Sequence, residues 1–382
     1  LHTVWAVIEH AVLAEYIPFI VLLFCLYVIA GGIVVRGDIQ ATPLANTTII
    51  GLGGVLASFI GTTGSAMLLI RLLLKTNLKR RRKVHTVVFF IIVAANVGGS
   101  LLPIGDPPLF LGYLRGVPFL WTLNLWKYWL FMLGILLVVY FVWDTWAYRH
   151  ESKEALQLDR TQLEPLRVAG VINVLWLIGV VLAVALLVPK KEFLNTGWIV
   201  PDYFREGVQL VMALLSWVTT QLALRKENQF NFVAIGEVAA LFIGIFIAMQ
   251  VPIEILHARG AELGLTKPWQ FFWATGILSS FLDNAPTYVV YFETAVSLPT
   301  EQITSTLGAA HMVALPGGRD LPYVLLAAIS CGAVFMGANT YIGNGPNFMV
   351  KAIAEQSGVK MPSFFGYMLY SCLILIPLFL IM

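Results

Sequence analysis

Two acids stand where acids are unfavourable. Asp106 and Asp283 each fall in a short polar, Gly/Pro-broken interruption of an otherwise apolar stretch. An ionised carboxylate at the centre of a membrane helix costs roughly 2.5–3.5 kcal/mol on insertion scales, so an acid retained there is a candidate working group. Hydroxyl and amide side chains lie close by in the sequence. Thr62 and Thr63 belong to the Gly61–Gly64 run and Ser65 follows it, Asn96 and Ser100 precede Asp106, Asn284 follows Asp283, and Asn339, Thr340 and Asn344 form a further polar run. Carboxylates, hydroxyls, amide oxygens and the free carbonyls of an unwound helix are the groups that hard cations prefer. The set reads as an ion- or substrate-binding site, with Asp283 and Asp106 as carboxylates for sodium and with no catalytic residue.

Asn-Ala-Pro or Ile-Gly-Asp-Pro-Pro alone would suit an extramembrane turn, where Asp, Asn, Gly and Pro are ordinary. The site reading rests on repetition. One copy runs Ser58-Phe59-Ile60-Gly61-Thr62-Thr63-Gly64 and then Ala95-Asn96-Val97-Gly98-Gly99, with Pro103-Ile104-Gly105-Asp106-Pro107-Pro108 behind it. The other runs Ser280-Phe281-Leu282-Asp283-Asn284-Ala285-Pro286 and then Ala338-Asn339-Thr340-Tyr341-Ile342-Gly343-Asn344-Gly345-Pro346-Asn347. Pairing Ser58 with Ser280 and Asn96 with Asn339 matches the copies if a short insertion separates the two dents. Interrupted apolar segments in corresponding halves point to a secondary transporter's binding site, because broken helices expose backbone groups and helix ends to a solute.

The elements that must position these residues are membrane spans of about 20 apolar residues. Stretches 16–36, 85–110, 118–146, 168–189, 205–224, 232–251 and 362–382 qualify, and 321–345 does if its polar break is tolerated. Stretches 43–75 and 266–296 break at Gly61–Gly64 and Asp283–Pro286 and read as re-entrant helical hairpins whose tips face inward, since non-helical backbone at membrane depth needs protein or water to satisfy it. The expected fold is an all-α polytopic membrane protein with two such hairpins and two broken transmembrane helices.

The dense cluster Lys75, Lys79, Arg80, Arg81, Arg82 and Lys83 sets the cytoplasmic side. Counting crossings from it brings Arg149, Lys153, Arg160, Arg167, Arg225, Lys226, Lys351 and Lys360 to the same side and makes the hairpins enter from opposite faces. That predicts inverted-topology repeats: 1–148, a cytoplasmic linker 149–167 with four acids among four bases, and 168–382. The 297–320 stretch reads as a polar surface loop. Residues 1–14 lack the basic start of a signal peptide and read as part of a membrane or interfacial helix.

Composition agrees. Hydrophobic residues make up 59% and charged residues 12%, against about 45–50% and about 25% in soluble domains, and mean hydropathy is +0.82. A net charge of +3, scattered among apolar runs, excludes a nucleic-acid partner. Cys25, Cys331 and Cys372 lack metal-type spacing and read as packing residues. Glu237, near the start of a span, is a candidate proton-relay group; His85, His150 and His257 fall at segment ends and read as interfacial; the tryptophans and tyrosines read as an aromatic belt. Walker, GxSxG and HExxH motifs are absent, which excludes ATP-driven pumping and the corresponding hydrolases as readings of this chain, and no cofactor is expected beyond sodium as transported or coupling ion.

Asn96-Val97-Gly98-Gly99-Ser100 with Ile104-Gly105-Asp106-Pro107-Pro108 resembles the first broken-helix motif of the ion transporter superfamily, which holds NhaD-type sodium/proton antiporters, the arsenite-efflux and P-protein branch, and citrate and dicarboxylate carriers. Ser279 to Pro286 is similar to its second hairpin tip and Gly337 to Asn347 to its second broken helix, and the likeness extends from about residue 16 to the end. The resemblance implies a homodimer in the lipid bilayer, a fixed scaffold, and a mobile transport domain that carries both hairpins in an elevator-like motion. The tip Gly61-Thr62-Thr63-Gly64 departs from the Ser-Asn-Thr tip of dicarboxylate carriers. The expected function is therefore sodium/proton antiport in a bacterial plasma membrane, with cation-coupled carriage of citrate, a dicarboxylate or arsenite as the alternative.

Overall fold

The structure is a computed structural model that describes every residue except 1, 162, 300–302, 304, 305, 308–310 and 319. Parts of the expected 297–320 loop, and the side chain of His257, lie outside the described residues. The chain is mostly helical. Among the described residues, five helices are long and apolar enough to cross a membrane: Val4–Ala30, Pro43–Thr76, Phe119–Arg149, Val233–Leu256 and Phe364–Ile381. The protein is an integral, multi-pass membrane protein.

The first of these spans joins α1 (His2–His10) through a π-helical turn, Ala11–Tyr16, to α2 (Ile17–Ala30). It therefore starts earlier than the expected 16–36 and includes most of residues 1–14, which read as part of a membrane or interfacial helix. Next come α3 (Pro43–Thr76), α4 (Val84–Ala94), α5 (Pro107–Leu114), α6 (Trp126–Arg149) and α7 (Lys153–Thr161). After them run α8 (Ile172–Leu186), α9 (Phe204–Thr219), α10 (Leu222–Glu227), α11 (Val233–Ala248) and α12 (Gln250–Arg259). The chain closes with α13 (Pro268–Phe281), α14 (Asn284–Val296), α15 (Tyr323–Met336), α16 (Gly345–Gln356) and α17 (Phe364–Ile381). Among the described residues, strands form two two-stranded ladders, β1 (Val34–Asp38) with β2 (Glu164–Ala169), and β3 (Met312–Val313) with β4 (Leu321–Pro322), beside an isolated bridge between Glu192 and Ile199.

These elements form two compact units. One comprises residues 1–37 and 165–250, the other 38–164 and 251–382, so each unit draws one segment from each half of the chain. In the first unit, α9 is amphipathic in the membrane sense. Arg205, Glu206, Gln209, Ala213 and Ser216 are its buried face, while Leu210, Val211, Leu214 and Val218 are exposed. Polar atoms that would be unfavourable in hydrocarbon turn inward, and several meet partners there, although among the described residues both amide atoms of Gln209 are buried without one. Ser216 and Thr220 donate to Asn173 Oδ1, and Arg225 donates to Ser216 and to the Val28 carbonyl at the end of α2.

The second unit holds both interrupted hairpins. A straight helix would separate residues twelve apart by roughly 18 Å, yet Ser65 Oγ donates to the Gly53 carbonyl at 2.6 Å across twelve positions. Asn46 and Asn77, 31 positions apart, exchange two amide hydrogen bonds. α3 is thus two antiparallel arms, folded at Gly61, whose φ of 79° suits glycine and disfavours any other residue. The second hairpin is α13 and α14. Gly260, just before α13, packs on Thr294 and Ser297 at the far end of α14. Both turns are tighter than the sequence suggests, one residue at Gly61 and two at Leu282 and Asp283.

At the open end of the first hairpin, charges are buried rather than solvated. Arg80 pairs with both oxygens of Asp144 at 3.0 and 2.6 Å, and His85 Nε2 lies 2.8 Å from Asp144 Oδ1. Glu151 accepts from the backbone N–H groups of Arg81 and Arg82. His85 is therefore buried against an acid. Nearby in α7, Asp159 accepts the Ala41 N–H at 2.9 Å. Burial holds its carboxyl above the usual range, against the pull of that N–H and of Lys79. A folded-state pKa above the unfolded one means the charge opposes folding at neutral pH and ceases to do so below about pH 4. Asp159→Asn, which keeps an oxygen for Ala41, should raise the melting temperature at pH 7, with the gain fading toward pH 4. A lower value at pH 7 would show that Lys79 and Arg80 outweigh burial.

Candidate functional site

Each hairpin tip is fastened to a broken helix by the same bonds. The first break runs from the end of α4 through a 3₁₀ turn, Val97–Ser100, to α5, and the second from α15 through Gly337–Asn339 to α16. Thr62 N–H donates to the Gly105 carbonyl at 2.8 Å, and Asn284 N–H to the Gly343 carbonyl at 3.1 Å. Ser58 Oγ donates to Gly98 O at 2.6 Å, and Ser280 Oγ to Met336 O at 3.1 Å. A Cβ on Gly105 would overlap the Gly99 carbonyl, and one on Gly343 the Gly337 carbonyl. Only glycine permits these approaches.

These pairings set a different register from the one read in the sequence. Ile104-Gly105-Asp106 matches Ile342-Gly343-Asn344, so Asp106 corresponds to Asn344, and Asn96 has no counterpart in Asn339. The backbone agrees. Asp106 (φ −142°, ψ 141°) caps α5 and Asn344 (φ −154°, ψ 137°) caps α16, both extended, with a proline in each first turn.

Four helix starts meet at Asp106. Its Oδ1 accepts from Thr62 Oγ1 at 3.0 Å and from Asn344 Nδ2 at 3.0 Å, and its Oδ2 accepts from Asn284 Nδ2 at 2.6 Å. Thr62 opens the second arm of α3, Asp106 caps α5, Asn284 opens α14 and Asn344 caps α16. Helix N-termini carry partial positive charge and favour an anionic group. Asp106 is 1% exposed, so these bonds are formed out of water. Lysine and arginine take no part in them.

The remaining candidates divide. Asn96 donates to Ile91 O and to Asn347 Oδ1, and its own Oδ1 accepts from Asn344 Nδ2 at 3.3 Å, which joins it to the cluster. Asn339 Nδ2 donates to Ser280 Oγ and Thr340 Oγ1 to Ser280 O, holding the second break on its tip. Asp283 caps α14 by accepting the Ala285 N–H at 3.0 Å and is half-buried, at the edge of the cluster and not in its middle. Thr63, beside Thr62, is half-buried. Ser65 bonds across the hairpin arms and Ser100 to Val97 O, both away from Asp106. Among the described residues, Asn284 Oδ1 and Asn339 Oδ1 are buried acceptors that no donor reaches, the type of oxygen a hard cation takes.

Sequence reasoning missed Asn347. Fully buried, it donates to the Gly337 and Thr340 carbonyls at 2.8 and 2.9 Å and accepts from Asn96, tying the second break to the first. Its three-residue spacing from Asn344, one helical turn, was the available signal. Tyr367 and Ser371 of α17 were missed as well; they bond the Ala338 and Asn339 carbonyls left free by the break.

No curated protein matches this chain. The model of one family, described as "Putative citrate transport", matches residues 1–382, the full length over which the broken helices and the Asp106 cluster are built, and the chain belongs to that family of transporters.

Proposed function

We propose that this protein is a cation-coupled secondary carrier of citrate or a closely related polycarboxylate, working by alternating access. The observation that carries the reading is the convergence of four helix starts on one buried carboxylate. Every broken helix supplies a positive end and a negative end at the same depth, the first suited to an anion and the second to a cation. Asp106 and Asp283 already lie at the positive ends, and the side chains that bond Asp106 are a hydroxyl and two neutral amides. A polycarboxylate therefore binds only together with a cation, which makes coupling a requirement of electrostatics.

In this reading the two hairpins are re-entrant and belong to inverted repeats, 1–148 and 168–382, which the paired tip bonds support. Residues 38–164 with 251–382 are the carrying unit of an elevator, since all candidate residues fall there, and residues 1–37 with 165–250 are the static one. Asp106, Asp283, Asn96, Asn284, Asn339, Thr340, Asn344, Thr62 and Thr63 form the binding region, and sodium is the first coupling ion to test. The loop at 75–83 lies on the cytoplasmic side of a bacterial plasma membrane, and the carrier works as a homodimer.

Purified protein in liposomes should accumulate labelled citrate when an inward sodium or proton gradient is imposed and should not do so when both gradients are absent. Equal uptake with and without a cation gradient would overturn the reading. The absence of lysine and arginine from the cluster favours a second reading, sodium/proton antiport. An outward sodium gradient that acidifies the lumen with no citrate present, in a preparation that moves no citrate, would establish it instead.

A further inference from the structure

The side-chain amide of Asn344 sits in a place built for a cation. Its Nδ2 lies 3.0 Å from Asp106 Oδ1, 3.1 Å from the Ala95 carbonyl and 3.3 Å from Asn96 Oδ1. An amide NH₂ has two hydrogens for these three acceptors. Ala95 is the residue that ends α4, so its carbonyl belongs to the negative end of a helix dipole. All four residues are 2% exposed or less. Three oxygens, one of them from a carboxylate, thus surround a point held by a weakly positive group where water has no access.

We propose that this oxygen cage, made by Ala95, Asn96 and Asp106, is a binding site for a hard monovalent cation such as sodium, and that Asn344 Nδ2 is a tethered stand-in that the cation displaces. Hard cations take oxygens at about 2.3–2.6 Å, so the three need close in by less than about 1 Å, and remaining ligands can come from water or a substrate carboxylate. Displacement has a mechanical result. Asn344 caps α16, and its neighbour Gly343 accepts the Asn284 N–H at the second hairpin tip. Removing the amide from the cage frees the start of α16, so cation binding in the first repeat is reported to the tip of the second.

The inference rests on the cation half of the proposed function and is tested without citrate. Purified wild-type protein and Asn344→Ala are melted in choline chloride and across a sodium titration. Without the amide, the Ala95 carbonyl and Asn96 Oδ1 lose this donor in choline and Asp106 Oδ1 keeps only Thr62 Oγ1, so the variant should melt lower by about 5 °C or more. Saturating sodium should bring it to within about 2 °C of wild type, with half-saturation at roughly tenfold lower sodium, since the competitor is gone. A deficit equal in choline and sodium marks Asn344 as structural and overturns the proposal. So does failure to fold in saturating sodium, because removing a competitor must leave the cation-bound state intact. Asn96→Leu, which removes one cage oxygen, should weaken the sodium response of the wild-type background at least tenfold; an unchanged response also overturns the assignment. Citrate uptake by the wild type, coupled to protons alone, would leave the carrier reading standing while the cage fails.

Discussion

Replacing Asp106 with alanine should abolish transport and strip several kcal/mol from the stability of the protein. The substitution leaves Thr62 Oγ1 and Asn284 Nδ2 facing a void at a position 1% exposed, while Asn344 Nδ2 keeps the Ala95 and Asn96 oxygens. Each unpartnered buried donor costs about 1–3 kcal/mol, and four helix starts would lose the negative charge that draws them together. Asp106→Asn keeps the volume and one acceptor but turns an N–H toward donors, so it should be milder in stability and equally inactive. Uptake in liposomes, set beside thermal unfolding in detergent, separates the two effects. An alanine variant that still accumulates substrate against a gradient would remove Asp106 from the mechanism.

Arg80→Met should damage folding severely. Arg80 and Asp144 have side chains 1% and 0% exposed, and the pair is bidentate. Breaking such a pair from one side leaves a buried charge unpaired and typically costs about 3–5 kcal/mol. His85 and Asn46 remain to stabilise Asp144 in part, through contacts at 2.8 and 3.2 Å. The double variant Arg80→Met/Asp144→Leu removes both charges and should recover much of the loss. A single variant as stable as the double would mean that the network is solvated in the membrane protein as it exists.

The dents were legible because an apolar chain gives polar residues no reason to cluster unless backbone is left open; Gly61, Asp106 and Asp283 stood out for that reason. The register was not. Matching Asn96 to Asn339 weighted residue identity, whereas the bonds at Gly105 and Gly343 align Ile-Gly-Asp with Ile-Gly-Asn. The likeness lay in the glycine that lets two backbones touch, not in the amide. Which of the two acids is central depends on depth that spacing does not encode: Asp106 lies in the middle and Asp283 caps a helix at the edge. Asp144 was legible and overlooked. It stands inside the apolar α6 as Asp106 does in its own stretch, but Arg80 had been read only as a topology signal. Asn347 and Tyr367 escaped because their partners are carbonyls, and a carbonyl leaves no mark in a sequence.

The partners of Asp106 bear on how the protein is made. Asn284 and Asn344 lie 178 and 238 positions further along the chain. At roughly 5–20 residues per second, a nascent chain carries Asp106 for about 9–36 s before either amide has been synthesised. During that interval the α4–α5 break is inserted or waiting to insert with its carboxylate bonded at most to Thr62, and the half-finished second unit lacks α13 to α17. The first half is therefore an obligate client of whatever shields polar membrane segments during synthesis, and a ribosome stalled between Asp106 and Asn284 should release a product that quality-control proteases remove.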